Sequence, residues 1–361
     1  VFFSMQIDYP VSLAVAFGLT LFLLLMLRPV ATRIGLVDHP GERKLHGGAV
    51  PLIGGIAMFV AFCLSILTLD IPITGLRAFF AGSLILVVIG ILDDMHELSA
   101  RTRFTVQIIA TTIMAVWGGV VLNDFGHLLS SEFVFELYWL AVPVTVFAAI
   151  GVINALNMLD GVDGLAGFVA LVAVIGMAVI SFAAGDMNTL MILGLVFSVI
   201  TAFLIVNLRN DHKQCSMVFM GDSGSMFLGF ALSWFLITLS QGDDRAMSPA
   251  TALWLFAIPL YETLTMIIRR TRNGRSPFSA DREHIHHMLE LAGYSKRMTV
   301  LIIVFASLLF ASLGLFGHFY QVPEYVMFYS FIAVFVGYLL LIRRGWKLLN
   351  NDYQKSSMRE A

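Results

Sequence analysis

Residues 139–164 read WLAVPVTVFAAIGVINALNMLDGVDG. The first part is apolar over roughly 17 residues, the length that crosses a bilayer. The end is different: Asn157, Asp160 and Asp163 stand three apart, with Gly161 and Gly164 between and after them. An apolar run closed by a polar cluster recurs along the chain. Of 361 residues, 58 % are hydrophobic and 13 % charged, with 30 Phe and 18 Met, and the mean hydropathy is +0.87. Soluble globular proteins do not have this composition. The expected fold is an all-α polytopic membrane protein of about eleven transmembrane helices. The spans fall at roughly 11–27, 51–69, 78–92, 104–122, 139–155, 165–184, 189–208, 223–240, 248–267, 298–318 and 324–342.

Basic residues orient these spans. Of the 22 Lys and Arg, all but Arg77 and Arg245 lie in the loops after odd-numbered spans or in the C-terminal tail. The positive-inside rule makes those loops and the C-terminus cytoplasmic and the N-terminus periplasmic, which requires an odd number of spans. The formal net charge of -2 gives no reason to expect nucleic acid. Cys63 and Cys215 lie in settings too different for a disulfide framework. Met5 is the expected natural start, and nothing before Pro10 resembles a charged leader. The sequence contains no internal repeat and no separate soluble domain, so residues 1–361 read as one integral membrane domain.

The unusual chemistry gathers on the cytoplasmic side. GILDDMHEL places Asp93 and Asp94 at the end of the third span, and VFMGDSGS places Asp222 at the start of the eighth. If the end of the fifth span is helical, Asn157, Asp160 and Asp163 are neighbours on it. Adjacent carboxylates repel unless a cation neutralises them. Mg2+ is commonly held by one or two carboxylates together with substrate phosphates. Carboxylates at a membrane edge usually mark function, the bland alternative being ordinary solvated acids. In RRTRNGRSPFSADREHIHHMLELAG, residues 269–293, Asp281 is a candidate helix cap. Ile285, Met288, Leu289 and Ala292 then form an apolar stripe. His284, His286 and His287 lack the fourth ligand of a structural zinc site. With the neighbouring arginines they suit phosphate, the alternative being a solvated positive-inside loop. Arg43, Lys44 and His46 lie beside glycines in the first cytoplasmic loop. This is no P-loop, but Lys44 can serve as a point charge for an anion.

Taken in order on cytoplasmic loops, DDMHEL, NMLDGVDG, VFMGDSGS and SPFSADREHIHH resemble the polyprenyl-phosphate N-acetylhexosamine-1-phosphate transferase family, from Pro29 to about Arg344. The resemblance implies transfer of N-acetylglucosamine 1-phosphate from UDP-N-acetylglucosamine to undecaprenyl phosphate, with Mg2+ or Mn2+ and release of UMP. It implies an enzyme of the bacterial inner membrane that initiates cell-surface polysaccharide synthesis of the O-antigen or enterobacterial common antigen type, and family analogy allows a homodimer. By motif, Asp222 would be the main metal ligand, with Asp94. Asp93 and Asp94 would place the lipid phosphate or the metal, and Asn157, Asp160 and Asp163 would face the nucleotide and diphosphate. Phe219 matches an aromatic that packs on uracil in relatives. Arg270, Arg282, His284, His286 and His287 would contact phosphates or sugar, and Lys44 the nucleotide side.

Two departures bear on this resemblance. Where relatives often carry Pro-x-x-Asp in the ninth span, this chain reads IPLYE, with Glu262 in that place. The muramoyl-pentapeptide branch has a lysine soon after its Asp pair, whereas DDMHEL offers Glu97. That favours N-acetylglucosamine over the other UDP-amino sugars or muramoyl-pentapeptide. A phosphate monoester has a second pKa near 6, so the lipid phosphate is already a nucleophile, which favours direct in-line attack. Asp93 or Asp94 as base or nucleophile stays open. A transporter would carry ionisable groups near mid-span and often repeated halves, which this chain does not.

Overall fold

The computed structural model describes residues 2–39, 48–71, 73–208, 216–274, 276 and 284–360. Most are helical, as expected where lipid cannot satisfy backbone N–H and C=O groups. The helices are α1 (Phe2–Ile34), α2 (Gly54–Ser65), α3 (Arg77–His96), α4 (Ala100–Thr112), α5 (Ala141–Leu159), α6 (Leu165–Ala184), α7 (Met187–Asn207) and α8 (Gly221–Ser240). They continue with α9 (Pro249–Leu255), α10 (Ala257–Arg272), α11 (Ile285–Leu291), α12 (Lys296–Phe319) and α13 (Glu324–Glu360).

Among the described residues, eight helices are long and apolar enough to cross a membrane, and the α9–α10 pair makes up to nine. The remaining two expected spans are shorter. Residues 51–69 yield α2 and a 3-10 turn ending at Thr68. Residues 104–122 yield most of α4 and a single π turn, Ile113–Trp117. Polar groups lie within α4 and break its apolar run: Gln107 is buried and accepts from Asn154, and the Thr111 hydroxyl bonds back to the Gln107 carbonyl. The expected ninth span, 248–267, is bent by 83°. Pro259 explains the break, because it gives no N–H to the carbonyl of Leu255 and its ring crowds that carbonyl.

Helix α8 is the axis of the bundle, buried along nearly its whole length and packed against α2, α3 and α5. The α3–α8 contact is close enough to need glycine. A Cβ at Gly90 would lie 2.3 Å from the Cα of Ser223. The peripheral helices α1, α12 and α13 are mostly exposed, with apolar side chains such as Phe22, Leu301, Phe305 and Leu341 outward. Such faces suit lipid.

At one end of the bundle, β1 (Val37–Asp38) and β2 (Val50–Pro51) pair antiparallel. The chain then locks onto the segment before α8: Phe219 N–H donates to the Pro51 carbonyl (2.8 Å), Gly54 N–H to the Phe219 carbonyl (3.0 Å) and Gly55 N–H to the Met220 carbonyl (2.9 Å). At the opposite end, Arg245 pairs with Asp124 (3.3 Å) and Glu324 (2.8 Å), tying together two loops and the start of α13, all distant in sequence.

Candidate active site

Three helix ends meet beside the β1–β2 end. Asp93 and Asp94 close α3, Asn157 lies near the end of α5, and Asp222 opens α8. Asn157 Nδ2 donates to Asp222 Oδ1 (2.6 Å) and to Ser225 Oγ (2.8 Å), and Asp222 N–H donates to Asp94 Oδ1 (3.0 Å). Asp93 is 5 % exposed and fully engaged. Its Oδ1 accepts from Leu98 N–H (2.7 Å) and its Oδ2 from Arg103 Nη1 (2.9 Å). The same Arg103 nitrogen lies 3.7 Å from Asp222 Oδ2.

The other expected residues are placed around this hub. Helix α5 ends at Leu159, so Asn157, Asp160 and Asp163 do not share one helical face. Gly164, in the left-handed region, starts α6, and Asp160 and Asp163 belong to the turn between. Burial, and then the charges of Asp222 and Asp163, push the Asp160 carboxyl up to about 7. Phe219 is pinned through its backbone on both sides, just ahead of Asp222. Helix α11 begins at Ile285 with His284 at the cap position. Asp281, expected to cap it, lies outside the described residues, as do Lys44 and Arg282. The histidines are not a solvated loop, since His284 is 8 % and His286 2 % exposed. A Cβ on Gly161 would meet His286 Nε2 at 2.7 Å, so the ring lies directly on the Asp160–Asp163 turn. Burial, with His287 and His284 beside it, pulls His286 down to about 3. Arg270 is buried in the last turn of α10.

Arg103, Ser225 and Tyr338 escape the motif reading, and Glu262 is marked there only as a departure from Pro-x-x-Asp. Arg103 counts in the sequence only as a topology-setting charge, yet it neutralises Asp93. Ser225 gives no signal beyond its place in VFMGDSGS. Glu262, on α10, lies 3.2 Å from His284 Nδ1 and itself accepts from Tyr338 O–H on α13.

Among the described residues, no group of three or more His, Cys, Asp or Glu is arranged to hold a metal. Asp94 and Asp222 are nevertheless a suitable pair for a hard divalent ion that completes its shell with water and phosphate. Asp94 Oδ2 is buried and has no hydrogen-bond partner. Such an orphaned carboxylate oxygen beside a second carboxylate fits a cation.

The sequence matches the profile described as Glycosyl transferase family 4 over residues 76–240, from the turn before α3 to the end of α8. It is similar to the undecaprenyl-phosphate alpha-N-acetylglucosaminyl 1-phosphate transferase of Escherichia coli (strain K12), with 37 % identity over 345 residues, covering 92 % of this chain and 90 % of that one. The protein of the same name from Haemophilus influenzae is 37 % identical over 341 residues, covering 93 % and 95 %. The one from Yersinia pestis is 36 % identical over 327 residues, covering 90 % and 89 %. With such identity over almost the full length of both partners, and with the family's segment building α3, α5 and α8 around one acidic hub, the chain belongs to glycosyl transferase family 4.

Proposed function

We propose that this protein transfers N-acetylglucosamine 1-phosphate from UDP-N-acetylglucosamine to undecaprenyl phosphate, giving undecaprenyl-diphospho-N-acetylglucosamine and UMP. The observation that carries the reading is the hub of Asp94, Asn157 and Asp222 at the membrane-edge end of the buried helix α8. An oxygen of the lipid phosphate attacks the sugar-bearing phosphorus, a new P–O–P link forms, and the bond to UMP breaks. The attacking phosphate is largely dianionic at neutral pH, so positioning and charge neutralisation are the main tasks. Both oxygens of Asp93 are engaged, which supports direct attack rather than an aspartyl intermediate on that residue. Arg103 holds Asp93, and Asn157 orients Asp222. The histidines of α11 and the basic last turn of α10 supply donors for phosphate and sugar, with Asp160 and Asp163 beside them and Phe219 for the uracil. Asp94 and Asp222 would hold Mg2+ or Mn2+, which would supply neutralisation of the diphosphate charge.

In this reading the whole chain is one transferase domain of eleven spans in the bacterial inner membrane. The C-terminus and active site face the cytoplasm, the N-terminus faces the periplasm, and the product initiates a cell-surface polysaccharide. The test uses purified protein, undecaprenyl phosphate and radiolabelled UDP-N-acetylglucosamine. Lipid labelling matched by UMP release is expected, abolished by chelation, restored by Mg2+ and reduced about 100-fold or more in Asp222→Ala. Labelling from a different UDP-sugar alone replaces the donor assignment, and none from any donor rejects the transferase reading.

A further inference from the structure

Glu262 lies three residues past the proline that breaks the ninth span, and it is 2 % exposed. A carboxylate buried this deeply is costly unless donors surround it. Three converge on it from elsewhere in the chain. Its Oε1 accepts from Ile285 N–H (2.9 Å) and lies 3.2 Å from His284 Nδ1, while its Oε2 accepts from Tyr338 O–H (2.6 Å). The surroundings are otherwise apolar, with Ile258, Val300 and Ile303 in the adjoining cluster, so packing alone gives no reason for a charge.

Both Glu262 oxygens already act as acceptors, Oε1 from Ile285 N–H and Oε2 from Tyr338 O–H, so the His284 nitrogen facing Oε1 carries the hydrogen, and Nε2 is the edge turned elsewhere. The His284 and His286 rings are parallel within 2°, with centroids 5.5 Å apart, and those of His286 and His287 are 4.2 Å apart. His286 in turn rests on Gly161. The fixed orientation of one ring is thereby passed through its neighbours to the turn that holds Asp160 and Asp163.

We propose that Glu262 and Tyr338 are positioning residues, which lock His284 in its Nδ1–H tautomer and seat the histidine helix on the Asp160–Asp163 turn for sugar-phosphate binding. The locking stands on the contacts above, and its purpose rests on the transferase reading. No substrate contact by Glu262 or Tyr338 is required.

The experiment uses the full chain in detergent with ring-15N-labelled histidine, the His284 signals being assigned by their loss in His284→Gln. Glu262→Gln keeps an acceptor at Nδ1, Glu262→Met removes it at similar volume, and Tyr338→Phe removes one donor without disturbing the cap on Ile285. The wild type should show the Nδ1–H signature. Glu262→Gln should retain it, and Glu262→Met should lose it with a kcat lower by about tenfold or more, as for other residues that orient a site histidine. If Glu262→Met does not fold, Glu262→Gln and Tyr338→Phe decide: both are expected to keep the signature, with kcat lowered. Persistence of the signature in folded Glu262→Met overturns the proposal, as does wild-type kcat in that protein or, where it does not fold, in both milder variants. Failure of the transferase reading looks different: the wild type transfers nothing, yet the tautomer still switches in Glu262→Met.

Discussion

Asp222 owes its orientation to neighbours that stand far off in sequence: Asn157 at one oxygen, Arg103 near the other, and the Asp94 carboxylate beneath its own N–H. Its candidacy is visible in VFMGDSGS, because an aspartate at the start of an apolar span invites explanation. Arg103 and Glu262 are a different case, since their partners are fixed only when separate helices pack. His286 gives a prediction at this scale. Its pKa is lowered from 6.5 to about 3, so between those values the unfolded chain holds a proton that the folded one excludes. Stability is therefore complete above about pH 6.5 and falls on acidification, by about 2 kcal/mol at pH 5 from this one group. The loss levels off near pH 3. Melting at pH 7 and pH 5 should show a smaller acid loss in His286→Phe than in the wild type, and an equal loss would assign the acid sensitivity elsewhere.

Helices were the most legible part of the sequence, because each expected apolar segment folds as a helix or a helix pair. Their irregularities were less so. The sequence reads 248–267 as one span, whereas Pro259 breaks it between α9 and α10, and the 83° size of the bend depends on how α10 packs with Tyr261 and Glu262 buried. The i, i+3 spacing of Asn157, Asp160 and Asp163 invited a continuous helix, and Gly161 and Gly164 end it. The contact of α3 with α8 yields the next prediction. At Gly90 an added methyl would meet backbone, which cannot rotate away, so Gly90→Ala must part the helices that carry Asp94 and Asp222. A loss of about 1–3 kcal/mol is expected, with transfer activity falling further than the melting shift explains. Gly151→Ala is the control, since nothing lies within 4 Å of its added Cβ. Equal activity in the two variants would remove the link between this contact and the site.

At the scale of the molecule, the acidic hub and the Arg245 clamp stand at opposite ends of the bundle, and the proposed sidedness can be measured. With Cys63 and Cys215 replaced by alanine, Asp243→Cys should react with an impermeant maleimide in intact spheroplasts, and Tyr294→Cys only after disruption. The reverse pattern would invert the topology and place the site outside. The late arrival of α8 also bears on biogenesis. Domains assemble from the N-terminus as they are synthesised, and α3 enters the bilayer more than a hundred residues before its partner segment, Phe219 to Ser225, exists. A nascent chain stopped before that point can already engage Asp93 through Leu98 and Arg103, but Asp94 lacks the Asp222 N–H that it receives in the finished fold. Glu262 likewise waits for Tyr338 on the last helix. The ribosome must therefore finish nearly the entire polypeptide before all the parts of the candidate site exist together, and prematurely terminated fragments carry it incomplete.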